Sequence, residues 1–166
     1  MCSLNSSPVE AESISTLIAA AADVVAQSFF ADAECASDAP DAGATVSLAG
    51  WLAATVRFEE AGCFGALQCL IPDALARALF DGFTGRGPSE PEPRFEEVCD
   101  LVGELSNMIC GAWLTRLASH QAFDLSRPEV RRVRTTLRAA TGPRISMRVN
   151  DLPLVLDVEM QQGSAD

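Results

Sequence analysis

A long helical pattern over residues 93–118, with a polar stripe inside it, constrains this chain more than any other feature. The stretch DLVGELSNMICG, residues 100–111, lies within an otherwise apolar run. At about 100° per residue, Asp100, Glu104 and Asn107 share one stripe of a helix, and Gly111 continues it one turn later. Val98, Leu101, Leu105, Ile109 and Ala112 take another face. One side suits a core and the other suits something polar. Glu96 and Glu97 in the first turn and Arg116 near the last turn complement the helix dipole.

Composition narrows the setting. With 166 residues, 48% of them apolar and 21% charged, the chain reads as one globular domain able to bury a core. That domain spans residues 1–166, with loose termini expected at 1–10 and 162–166. A formal charge of −11 argues against nucleic acid, because phosphate binding needs a basic surface. The basic residues are all arginine, none precedes Arg57, and they crowd between Arg127 and Arg148. The six cysteines form no C-x-x-C pair and His120 is the single histidine, so a zinc site is not expected. No basic n-region opens the sequence, which predicts a cytoplasmic protein with reduced thiols. The run LIAAAADVVAQSFF is broken by Asp23 and Gln27 and is too short to span a bilayer.

Along the chain, residues 11–33 predict a helix capped by Ser13 or Ser15. SDAPDAGA predicts a loop. Residues 45–72 predict two strands joined near EEAG, although their alternation is imperfect. PDALARALFDGF predicts a short helix with Pro72 in its first turn and Gly82 at its end. A Gly- and Pro-dense linker leads into the long helix. After it, FDLSRPEVRRVRTTLRAA begins as a loop and turns into a strand, with Pro128 pushing Arg127 away from helix. RISMRVNDLPLVLDVEMQQ predicts a closing hairpin around ND. The order is α+β with an antiparallel sheet.

Each candidate has a plain structural reading beside the functional one. Asp100, Glu104 and Asn107 are ordinary residues for a solvated helix face. Asn is a poor helix-interior residue because its side chain competes with the backbone, and Gly costs about 1 kcal/mol there. Gly111 therefore either lets another molecule approach or lets a neighbouring element pack closely. The arginines of residues 127–148 are either alternate solvent-facing strand positions or a docking surface for an acidic partner. The cysteines read as small buried hydrophobes, with Cys110 nearest the stripe. His120 reads as a favourable charge at a helix end. Trp51 and Trp113 read as core or interface anchors, with Trp113 and the C-terminal strands as candidate dimer surfaces.

EEVCDLVGELSNMICGAWLTRL resembles the signature helix of the CheC/CheX family of chemotaxis phosphatases. That helix carries an acidic or Ser residue, then E-x-x-N, with a Pro some twenty residues on. Asp100, Glu104 and Asn107 match it, NMICG resembles the N-x-x-x-G of the CheX branch, and Pro128 falls near the family Pro. The likeness is good over residues 45–130 and holds only in outline at the flanks.

The resemblance implies a CheC/CheX-like α+β fold, an antiparallel sheet packed against long helices. It implies hydrolysis of the aspartyl phosphate on a CheY-like response-regulator receiver domain. Asn107 would orient the attacking water, and Glu104 would pair with the receiver's active-site lysine. Asp100, Gly111 and Glu97 would complete the docking surface. Mg²⁺ is expected on the receiver, with no cofactor or metal on this chain. CheC-type chains carry two motifs, and the first helix here has no E-x-x-N, so the CheX type and a homodimer are implied. Two alternatives stand: a noncatalytic adaptor of the same fold, and an unrelated interaction domain in which the motif is coincidence. Burial of Glu104 or Asn107 would defeat the phosphatase reading.

Overall fold

The computed structural model describes residues 8–36, 50–60, 62–134 and 142–162. Cys2, the SDAPDAGA loop, Arg138 and the GSAD tail lie outside them. The first helix, α1, runs Pro8–Phe29, and a short strand β1 follows at Ala33–Cys35. Next come β2 Trp51–Glu60, β3 Cys63–Pro72, α2 Asp73–Thr84 and the long α3 Phe95–Leu117. The chain closes with β4 Asp124–Leu125, β5 Glu129–Arg132, β6 Arg144–Val149 and β7 Leu152–Gln162.

The seven strands form one antiparallel sheet in the order β1-β6-β7-β3-β2-β4, with β5 also on β2. Strand residues alternate faces. Leu52, Ala54, Val56 and Phe58 of β2, with Leu67, Cys69 and Ile71 of β3, share one core with all three helices. That places the helices on one face of the sheet. The alternation in β2 is imperfect because Ala53 is buried as well, with Leu70, Val133 and Val155 in a small cluster on the opposite face. There Arg144 and Asp157 are register partners and bond bidentately, both distances 2.7 Å. Their side chains are only 21% and 9% exposed, so each charge depends on the other.

Several boundaries differ from expectation. Helix α1 begins at Pro8, because proline suits a first turn whose N–H has no partner anyway. Ser13 and Ser15 therefore lie inside it. The Ser13 carbonyl accepts a 3.2 Å bond from the Trp113 indole N–H, and Ser15 Oγ donates to Glu12. Residues 8–10 thus belong to a helix, and Gln162 to a strand, rather than to loose ends. Pro72 is extended and precedes α2 instead of opening its first turn, and the helix ends past Gly82, at Gly85 with φ 69°. Strand β1 was not legible, since its three residues are held by pairing with β6. The expected ND hairpin is present, with Asn150 and Asp151 at φ 47° and 65° as a two-residue left-handed turn requires. The Asn150 backbone N–H and side-chain oxygen tie the turn to Asp32.

Trp113 is fully buried and edge-on to Phe58, so it serves the core and offers no interface. Cys69 and Cys110 are buried as expected, but Cys35 is exposed at the sheet edge. No helix among the described residues is long and apolar enough to cross a membrane.

Candidate functional site

Helix α3 forms because its apolar positions repeat at helical spacing and its first turn is capped from both sides. Glu97 accepts a 2.9 Å bond from the Arg94 backbone N–H and pairs with the Arg94 guanidinium. Those two contacts, the backbone bond first, hold the Glu97 carboxyl below the ordinary carboxylate range. Val98, Leu101, Val102, Leu105, Ile109, Trp113 and Leu114 are buried. The helix is thus buried along most of its girth, by the sheet on one side and by α1 and α2 beside it.

What remains open is the stripe. Asp100 and Glu104 are exposed, while Asn107 and Gly111 are half-buried along its edge. From Asp100 to Gly111 the stripe extends about 16 Å at 1.5 Å per residue. Among the described residues, no side-chain hydrogen bond or ion pair engages Asp100, Glu104 or Asn107. An exposed carboxylate and a half-buried carboxamide one turn apart therefore keep their donor and acceptor capacity unspent. Glu97 lies on the same stripe, but its carboxylate is committed to Arg94.

One flank of the stripe is walled by β4 and β5. A Cβ at Gly103 would sit 3.3 Å from Pro128 Cβ and 3.4 Å from Val130 Cγ2, so glycine lets this segment lie close against the helix. A Cβ at Gly111 would find only Leu125 Cδ1, at 3.8 Å. Close packing by a neighbouring element thus explains Gly103 and does not explain Gly111. The sequence signal for Gly103 was a second glycine in a helix interior, costing about 1 kcal/mol; its partner, Pro128, is visible only in three dimensions.

The thiol nearest the stripe is chemically quiet. Burial pushes the Cys110 thiol up to about 12, and it stays protonated near neutrality. His120 is exposed, beyond the end of α3. The arginines of residues 127–148 do not form one surface. Arg144 is paired on the far face of the sheet, Arg148 lies 3.7 Å from Asp151 at the hairpin, and Arg132 stacks 4.6 Å over the Phe95 ring. No group of three or more His, Cys, Asp or Glu among the described residues could hold a metal ion.

No protein-family model and no curated protein matches the sequence. Solved structures do match. The CheX chemotaxis protein from Vibrio vulnificus is 20% identical with a TM-score of 0.72, covering 90% of this chain and 99% of that one. CheX from Borrelia burgdorferi, solved as a CheX–CheY–BeF3–Mg²⁺ complex, is 12% identical with a TM-score of 0.57, covering 90% and 97%. The FliM middle domain from Vibrio alginolyticus is 10% identical with a TM-score of 0.55, covering 93% and 94%. The chain therefore has the CheC/CheX-like fold, an antiparallel sheet with three helices.

Proposed function

We propose that this chain is a CheX-type phosphatase that hydrolyses the aspartyl phosphate of a CheY-like receiver domain. The observation that carries this reading is the pair Glu104, exposed, and Asn107, half-buried, on the open stripe of α3, neither with a side-chain partner among the described residues. The CheX–CheY complex among the solved relatives supports the choice of a receiver as partner.

The chemistry suits these side chains. An acyl phosphate is already activated, so the task is to place water in line with phosphorus. Water oxygen bonds to phosphorus, the bond from phosphorus to the aspartyl oxygen breaks, and inorganic phosphate and a free carboxylate result. The Asn107 carboxamide accepts from the water with its oxygen and donates with its nitrogen, and it does not titrate. Glu104 pairs with the receiver's lysine and fixes the register of the helix on its partner. Mg²⁺ belongs to the receiver in this reading, and the protonated Cys110 takes no part. The reading includes a cytoplasmic homodimer.

The test is loss of phosphate from a panel of phosphorylated receiver domains. Wild type should accelerate it. Asn107→Ala should remove at least about a hundredfold of the acceleration with little change in KM, as expected when a positioning group is lost. Glu104→Ala should raise KM. Receiver binding without acceleration would leave the adaptor reading. Neither activity nor binding would overturn both.

A further inference from the structure

The Ser126-Arg127-Pro128 tripeptide is built more firmly than a simple corner requires. Leu125 lies at Gly111, Pro128 and Val130 lie at Gly103, and Arg132 lies at Phe95. The segment thus runs beside α3 in the opposite direction, and residues 126–127 fall level with the turns that carry Glu104 and Asn107. Ser126 is fastened to β2 twice: its hydroxyl accepts from the Arg57 N–H at 2.9 Å, and its N–H donates to the Arg57 carbonyl at 2.8 Å. Pro128 has a fixed φ and is wedged on Gly103. Next to it, Glu129 pairs with Arg57 at 2.7 Å. Between these anchors Arg127 is exposed, and its guanidinium has no hydrogen-bond or ion-pair partner among the described residues.

The surroundings make that free cation informative. The stripe beside it carries the unpaired carboxylates Asp100 and Glu104, and the whole chain has a formal charge of −11. Such a surface repels a phosphorylated, acidic partner site. Resting on the function proposed above, we infer that Arg127 is a docking residue whose guanidinium pairs with an anionic oxygen at the rim of the receiver's aspartyl phosphate. That oxygen belongs either to a receiver carboxylate or to the phosphoryl group.

Steady-state dephosphorylation and binding of phosphorylated receivers test this with Arg127→Gln, Arg127→Lys and Arg131→Ala. Arg131 is opposite Ala53 in the register, on the far face of the sheet, so its removal controls for net charge alone. Arg127→Gln should weaken binding about fivefold, the upper range for a rim ion pair. Its melting temperature should match wild type, Arg127→Lys should recover part of the loss, and high salt should erase it. A loss confined to KM assigns the partner oxygen to a carboxylate; an added loss in kcat assigns it to the phosphoryl group. Binding by Arg127→Gln equal to wild type, or an equal loss in Arg131→Ala, overturns the inference. A wild type that binds receivers without hydrolysing them refutes the phosphatase alone, and binding still decides Arg127. A wild type that does neither overturns both.

Discussion

Gly103 and Gly111 lie about two turns apart on α3, and a side chain would meet different neighbours at each. At Gly103 the β4–β5 segment presses against the helix, and a Cβ would crowd Pro128 and Val130. At Gly111 the nearest atom, Leu125 Cδ1, stands at ordinary contact distance. The two positions share a residue type and a helix-propensity cost, yet only one is explained by the fold. Packing within the chain therefore accounts for one of the two glycines and leaves the other without a packing role among the described residues.

Enlarging Gly103 tests the packed flank most severely. In Gly103→Leu the new side chain has Pro128 and Val130 in its way, and Pro128 cannot swing aside because its ring fixes the backbone. Overpacking of this kind costs about 1–3 kcal/mol, more than the helix gains by losing a glycine. The urea midpoint should fall, and shortening Pro128 to Ala in the same chain should restore part of it. A midpoint equal to wild type would mean that the segment does not lie on the helix, and Arg127 would lose its place beside Asn107.

The packed side of α3 is also dry, which pH can measure. Burial pushes the Cys69 thiol up to about 12, against the pull of Ser106, and does the same to Cys110. An unfolded thiol ionises near about 8.5. Between these values the unfolded chain has released its proton and the native chain has kept it. Stability contributed by the native pKa is therefore whole below about 8.5 and is lost as pH rises toward about 12, at about 1.4 kcal/mol per pH unit for each thiol. Urea midpoints taken from about pH 8 to about pH 10 should fall more steeply in wild type than in Cys110→Ala. Equal slopes would mean that water reaches this side of the helix.

Sequence periodicity was enough for α3, for both hairpins and for the stripe, because each is written in local spacing. The expected 93–118 helix is Phe95–Leu117, β2 and β3 pair antiparallel as far as Glu60 and Cys63, and ND marks the turn between β6 and β7. Strand β1 was invisible because Ala33–Cys35 has no strand pattern of its own and is held by Met147, Arg148 and Val149 across the sheet. Helix α1 starts ahead of the expected residue 11 because Pro8 suits a first turn, and Ser13 and Ser15 fall inside the helix instead of capping it. At the site, the side chains on the stripe were legible. The wall beside it was not, since Gly103 and Pro128 meet only after the chain has turned back through β4. Glu97 was legible as a first-turn acid that favours the helix dipole, but its bond to the Arg94 N–H is a capping contact that charge placement alone did not disclose.

Gly111→Ala has the smallest expected effect and separates the two flanks most sharply. The added methyl meets only Leu125 at 3.8 Å, so nothing within the described residues opposes it. The helix should gain up to about 1 kcal/mol by losing a glycine from its interior, and the urea midpoint should rise. If a partner backbone or side chain comes close at this turn, the same methyl should raise KM for the phosphorylated receiver about fivefold, roughly 1 kcal/mol. Stability and docking would then move in opposite directions from one substitution. A rise in stability with no change in KM would remove Gly111 from the docking surface and leave Glu104 and Asn107 to define it. A fall in stability would make Gly111 a second packing glycine like Gly103, and the comparison between the two flanks would collapse.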